Sequence, residues 1–244
     1  MDPFLRSISL YHARVDSFDA FPFSVPAVRQ MDTVELHPQV TFFIGENGTG
    51  KTTLLEAVAL VEGFHHEGGT RNFSGERHDK RYQLANAIGV ARGVRRARHD
   101  SFYLRAESFY NVATQIDDLG LINEKSPYGN VSLHEQSHGE AFLTIFMQRM
   151  GSNGLYLLDE PESALSPQRQ LAFLAAMHQH AQAGSQFIIA THSPIIMAYP
   201  NAIIYQFSDQ GIAPVEYTDT EHYKVTNMFL TRREKMLADL MGDE

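Results

Sequence analysis

The segment Val40–Thr52 constrains this chain more than any other. Val40-Thr41-Phe42-Phe43-Ile44 is a nearly unbroken apolar run that enters Gly45-Glu46-Asn47-Gly48-Thr49-Gly50-Lys51-Thr52 without a spacer. The octet fits G-x-x-x-x-G-K-[ST], in the strand–loop–helix setting that this pattern requires. Three glycines within six residues let the backbone turn tightly, so that successive N–H groups converge on one point. The helix that follows turns the positive end of its dipole to the same point. A phosphate chain fits there. Lys51 would set its charge on the β- and γ-phosphates, and the Thr52 hydroxyl would ligate Mg²⁺. At average glycine usage the four fixed positions coincide by chance in about one chain of this length in a hundred. Gly45, Glu46, Asn47, Gly48, Thr49, Gly50, Lys51, Thr52 and Thr53 are therefore expected to hold a nucleotide.

A second apolar run, Leu155-Tyr156-Leu157-Leu158, ends in Asp159-Glu160. A buried strand ordinarily excludes unpaired acids because burying their charge is costly. Both are in place at the C-terminal edge of a parallel sheet, where such sheets bind ligands. There Asp159 would hold Mg²⁺, and Glu160 would orient or deprotonate an attacking water.

The rest of the chain alternates short apolar runs with helical patterns, the rhythm of a mostly parallel α/β sheet flanked by helices. Strands are predicted near Phe4–Leu10, Val34–Ile44, Ser101–Ala106, Gly154–Asp159, Gln186–Thr191 and Ala202–Phe207. Helices are predicted at Lys51–Gly63, Ser137–Met150, Pro167–Ala183 and Glu221–Leu240. The chain reads as one domain, 1–244. Residues 64–100, rich in Gly, His and Arg, break the rhythm, and 64–136 is read as an insertion and helical lobe within it.

The ordered set GENGTGKT, then Ser137-His138-Gly139-Glu140 opening a helix, then LYLLDEPESALSP, then Ala190-Thr191-His192-Ser193 resembles the ABC-type ATPases. Its Asp159–Glu162 and Thr191–Pro194 runs look most like stand-alone AAA/ABC ATPases and the ATPase heads of repair or defence proteins. The resemblance implies ATP and Mg²⁺ as cofactors, with hydrolysis to ADP and phosphate. It implies that Ser137 and Gly139 close on ATP held by a second copy, as an ATP-dependent homodimer, and that His192 senses the γ-phosphate. Departures from the family pattern are His138 for Gly, Glu140 for Gln, Ser166 for Asp, and Glu107-Ser108-Phe109 where a Gln is usual. Tyr11, Phe18 and Phe21 are the aromatic candidates for adenine.

Three functions compete: an ATP-driven switch acting on a protein partner, the nucleotide-binding subunit of an ABC membrane transporter, and a head that binds DNA ends. Too few residues separate Glu107 from Ser137 for the coiled-coil arm of such heads. The stretch after Ser193 is also short for an appended nuclease.

Composition narrows the setting. The 244 residues carry a net charge of −9, which disfavours a surface that coats nucleic acid uniformly. The chain contains no cysteine, so disulfides and thiolate metal sites are out. Neither a signal peptide nor a membrane-length apolar run occurs, which points to the cytoplasm without direct membrane insertion. One local exception to the acidity is Leu84–His99. Read as a helix, it lines up Arg92, Arg95, Arg96 and His99 as a strip that could meet nucleic acid phosphates. His65-His66 and His178-x-His180 lack the spacing and carboxylates of a metal site.

Overall fold

A computed structural model describes residues 2–65, 82–95, 101–105, 142–143, 146–147 and 150–242. Two sheets organise these residues. A six-stranded sheet takes β3 (Val40–Ile44), β5 (Phe102–Arg105), β6 (Leu155–Asp159), β7 (Gln186–Ala190), β8 (Ile203–Ser208) and β9 (Gly211–Pro214) in the order β5-β6-β7-β3-β8-β9. The first five run parallel, and β9 closes the edge as an antiparallel hairpin with β8. A smaller antiparallel sheet, β2-β1-β4, is built from β1 (Leu5–Leu10), β2 (Thr33–Glu35) and β4 (Ile88–Arg92).

The central strands are apolar at successive positions because both faces of the parallel sheet are covered. Phe42, Ile44, Tyr156, Leu158, Phe187 and Ile189 pack on one side with Phe173, Ala176 and Met177 of helix α4 (Pro167–Gln182), and with Phe142 and Phe146. Phe43, Leu155, Leu157, Ile188 and Ala190 face the other way, onto Leu54, Leu55 and Val58 of helix α2 (Lys51–Val61). The far side of α2 meets Leu5, Ile8 and Ile88 of the antiparallel sheet in the same apolar cluster. The helix that opens at the glycine loop is thereby clamped between two sheets.

A buried glutamine joins those sheets. Gln186 Oε1 accepts from the N–H groups of Phe4 (3.0 Å) and Leu5 (2.9 Å), while its Nε2 donates to Leu5 O (2.8 Å) and His37 O (3.0 Å). Gln186 itself is fully buried at the start of β7.

Several local expectations need correction. The predicted strand Val34–Ile44 is two strands in different sheets. Between them, His37 Nδ1 accepts from the N–H groups of Gln39 and Val40 (3.1 and 3.2 Å), and Pro38 has no N–H for a ladder. The stretch Leu84–His99 is not one helix. A short helix α3 (Tyr82–Ala87) passes directly into β4, with Ile88 and Val90 opposite Leu10 and Ile8. Gly89 lies under the Tyr11 ring, where an added Cβ would collide with the aromatic carbons. Residues 88–92 and 102–105, inside the span read as an insertion and lobe, thus supply strands to both sheets. The C-terminal helix Glu221–Leu240 is also divided, into α5 (Glu221–Thr231) and α6 (Arg233–Met241). Arg232 leaves helical geometry at φ −132°, ψ 36°. Just before it the Thr231 hydroxyl bonds back to Asn227 O at 2.6 Å, a contact that bends helices. Strand β9 had no counterpart in the sequence reading.

Candidate functional site

The site lies at the C-terminal ends of β3, β6 and β7, neighbours in the sheet. Gly45 leaves β3 with φ 137°, and a Cβ there would strike the Phe207 carbonyl, so only glycine makes this exit. Gly50 caps α2 at φ 100°, its Cα facing the Val25 and Val28 side chains. Helix α1 (Pro26–Arg29), with its N-cap Val25, therefore buttresses the loop from outside.

Lys51 is buried, and its ammonium donates to Gly45 O and Glu46 O, both at 2.8 Å. Burial pulls its pKa down, and Glu160, Asp159, Glu162 and Glu46 push it back up. Thr52 Oγ1 donates to Asp159 Oδ1 at 2.9 Å, bringing the hydroxyl after the lysine to the first acid of β6. Glu46, Asn47 and Gly48 are exposed, and Thr49 turns its hydroxyl back onto Glu46 O (2.8 Å). Thr53 is half-buried in the first turn of α2.

Glu160 stands in the left-handed region at φ 50°, rare for a non-glycine residue and a mark of local strain. Its N–H donates to Ala190 O (2.9 Å), and its carbonyl accepts from the Ser163 N–H (3.1 Å) and hydroxyl (2.9 Å). The carboxylate lies 3.6 Å from His192 Nε2. Glu162, the third acid, sits beneath them. It accepts from the Thr191 hydroxyl (2.8 Å) and the His192 N–H (2.5 Å), fixing the turn after β7. Burial raises the Glu162 pKa despite those bonds.

The structure thus brings Lys51, Thr52, Asp159, Glu160 and His192 together at one place. Ser137, His138, Gly139 and Glu140 lie outside the described residues, as does Glu107. Ser166 acts as the N-cap of α4, accepting from the Arg169 N–H (3.4 Å), with Pro167 in the first turn. Of the adenine candidates, Tyr11 lies under the Arg14 guanidinium (4.5 Å), Phe18 packs edge-on against Phe23, and Phe21 is exposed.

The arginine strip loses its helical basis. Arg92 pairs with Glu62 (2.8 Å). Arg95 bonds Asn153 and Gly184 O and stacks over Phe4. Arg96 and His99 lie outside the described residues.

Two participants escaped the sequence reading. Arg105, at the end of β5, places Nε 3.8 Å from Asp159 Oδ2 and Nη1 3.7 Å from Glu56 Oε2. His222, in the first turn of α5, brings Nε2 within 3.2 Å of His192 Nδ1. A charged residue ending an apolar strand could have flagged Arg105. Nothing local marks His222.

The donor set fits a nucleotide with its divalent cation. A hydroxyl and a carboxylate meet at one point, an ammonium stands over a glycine loop, and His192 Nε2 is buried without a hydrogen-bond partner among the described residues. Among those residues no group of three His, Cys, Asp or Glu side chains that could hold a metal ion occurs, and no helix is long and apolar enough to cross a membrane.

The chain is similar to several known proteins. Residues 22–135 match a family model described as "AAA domain", and residues 127–198 one described as "AAA domain, putative AbiEii toxin, Type IV TA system". Among curated proteins, the chain is 26% identical over 164 residues to the cytochrome c biogenesis ATP-binding export protein CcmA of Aliivibrio fischeri, covering 63% of this chain and 78% of that one. It is 29% identical over 167 residues to CcmA of Rhodopseudomonas palustris, covering 64% and 78%. In fold it matches a chain of "an inward-facing conformation of a putative metal-chelate type ABC transporter" with a TM-score of 0.52 at 19% identity, covering 93% of this chain and 88% of that one. The SMC head domain from Thermotoga maritima aligns with a TM-score of 0.49 at 16% identity, over 87% and 99%. With its glycine loop on β3, its paired acids on β6 and its histidine after β7, the chain is similar to P-loop ATPases of the ABC type.

Proposed function

We propose that this chain binds ATP with Mg²⁺ on Gly45–Thr53, hydrolyses it, and passes the resulting change of shape to a protein partner. The observation that carries the reading is the convergence on one loop of Thr52 with Asp159 and of Glu160 with His192. Lys51 exchanges its bonds to Gly45 O and Glu46 O for phosphate oxygens, at little cost because both sets are acceptors. Thr52 and Asp159 would hold the cation, which would neutralise charge on the phosphates. Glu160 orients or deprotonates the water, its position preset by the strained turn that Ser163 and Ala190 O secure. His192 donates towards the terminal phosphate.

One copy leaves that phosphate open on the side away from the loop. In the ATP-bound form two copies pair head to tail, each covering the other's nucleotide with Ser137 and the Gly139 backbone, so that both sites form at once. A few charge-assisted hydrogen bonds of about 1.5–3 kcal/mol each shift such pairing by orders of magnitude between ATP and ADP. Light scattering on Glu160→Gln tests this with ATP, with ADP, and with Ser137→Arg added. A dimer is expected with ATP alone, and a mass indifferent to nucleotide or to Ser137→Arg sinks the composite site.

A second reading, the nucleotide-binding subunit of a transporter, draws support from the likeness to two ATP-binding export proteins. Co-purification with a membrane protein would favour it. The nucleic-acid reading is weakened, since Arg92 and Arg95 already engage groups of this chain.

A further inference from the structure

We propose that His222 is a positioning residue that holds His192 with its proton on Nε2, the ring nitrogen facing Glu160, and so ties the C-terminal helices to the hydrolytic end of the site. The proposal deepens the ATPase reading and rests on it for its meaning, though not for its test.

His192 and His222 stand with ring centroids 5.4 Å apart, and the Nδ1 of the first lies 3.2 Å from the Nε2 of the second. Two neutral imidazoles in this arrangement place one proton between the facing nitrogens, so one ring donates and the other accepts. The two assignments are not equivalent. If His192 Nδ1 donates, its Nε2 lone pair confronts the Glu160 carboxylate at 3.6 Å. His222 would then carry its proton on Nδ1, a buried atom without a hydrogen-bond partner among the described residues. A buried unmatched donor and a lone pair against a carboxylate are both unfavourable. If His222 Nε2–H donates instead, His192 carries its proton on Nε2 and turns a donor towards Glu160. Only the His222 Nδ1 lone pair is left unmatched.

Protonation of both rings is opposed by their surroundings. Burial, the Lys51 ammonium and the neighbouring ring hold His192 below the ordinary histidine range. Burial and Lys51 do the same for His222, although Glu160 and Glu46 pull the other way at His192, and Glu221 and Glu46 at His222. The neutral, ordered pair is the ground state.

The His192 backbone is pinned by Glu162, but that contact leaves the ring free to turn about its side-chain bonds. His222 supplies the missing constraint, and it comes from an element that is itself anchored. Thr220, buried before α5, caps the helix by accepting from the Tyr223 N–H at 3.2 Å. His222, Glu221, Val225 and Thr226 of α5 line one cavity with Gly45, Glu46 and Gln206, so this helix abuts the start of the glycine loop.

The test uses the full chain, ¹⁵N-labelled at histidine and free of nucleotide, with ring tautomers read from long-range ¹H–¹⁵N spectra. His192 is expected as the Nε2–H form in the wild type and in His222→Gln, whose amide keeps a donor at the same place. In His222→Leu the His192 Nδ1 lone pair loses its donor, so the Nδ1 resonance should move downfield towards that of an unbonded ring nitrogen. Turnover of His222→Leu should fall about tenfold in kcat with KM within about twofold, the low end for losing an outer partner of a functional histidine. His222→Gln should return to within about threefold of wild type. A wild-type His192 protonated on Nδ1, or a His192 Nδ1 resonance that His222→Leu leaves unmoved, overturns the proposal. Absence of ATP turnover in the wild type would defeat the hydrolytic reading instead, and the tautomer would still decide this one.

Discussion

Thr52 Oγ1 and Asp159 Oδ1 meet at 2.9 Å although they belong to α2 and β6. On the other side of the carboxylate, Arg105 Nε approaches Oδ2 at 3.8 Å. Asp159 is therefore held from both oxygens before any cation arrives, which lowers the ordering cost of binding one. Asp159→Asn should reduce Mg²⁺-dependent ATP hydrolysis at least about a hundredfold, since a cation on the phosphates supplies several kcal/mol of charge stabilisation. Nucleotide affinity in EDTA should change only slightly. Fluorescent-nucleotide titrations with and without Mg²⁺ separate the two, and an equal loss in both would detach Asp159 from the cation.

Glu160 is the residue proposed above to activate the attacking water. Its carboxylate is partly open, and its backbone strain is retained by bonds from Ser163 and to Ala190 O. Glu160→Gln keeps the shape and should keep ATP binding. Turnover should fall by roughly two to four orders of magnitude, the usual span for a general base. Turnover within twofold of wild type would remove Glu160 from the mechanism. Lys51→Ala, by contrast, should abolish tight binding, because among the described residues nothing else puts a buried cation over the loop.

The parts of this site readable from sequence are those whose geometry is local. Gly45–Thr52 specifies a turn within eight residues, and Leu155–Glu160 announces its acids by placing them after four apolar residues. The segment Leu84–Ala91 misled because its apolar residues suit a helical period, whereas pairing of Ile88 and Val90 with β1 fixes a strand. Tertiary pairing overrode a weak local preference. His222 and Gln186 were illegible for a different reason. Each acquires its role only through partners far away in the chain, and a single glutamine or histidine carries no periodic signal.

Gln186 supports a stability prediction. Its four hydrogen bonds satisfy two N–H and two C=O groups at the seam between the sheets. Gln186→Leu fills similar space but strands all four, at about 1–3 kcal/mol per unsatisfied group before relaxation or water entry. A net loss of roughly 3–5 kcal/mol is expected, read from the urea midpoint. A loss below about 1 kcal/mol would show that the sheets do not depend on this side chain.

Two partly buried groups near the site should give stability opposite pH dependences. Glu162 has its pKa raised above 4.5, chiefly by burial. Its folded form binds the proton more tightly than the unfolded chain does, so its contribution is full below 4.5 and is lost as pH rises through the folded value. His192 is lowered below 6.5, by burial first and then by Lys51. Its contribution is present above 6.5 and is lost as pH falls through the folded value. Glu162→Gln offers one carbonyl where the Thr191 hydroxyl and the His192 N–H use two oxygens, so it starts with a fixed deficit. The slope is the readout. Between about pH 5 and about pH 8, the Tm of wild type should fall relative to Glu162→Gln as pH rises, and should rise relative to His192→Gln over the same range. Parallel curves for Glu162→Gln would mean that the bonds from Thr191 and His192 outweigh burial and that Glu162 is ionised throughout.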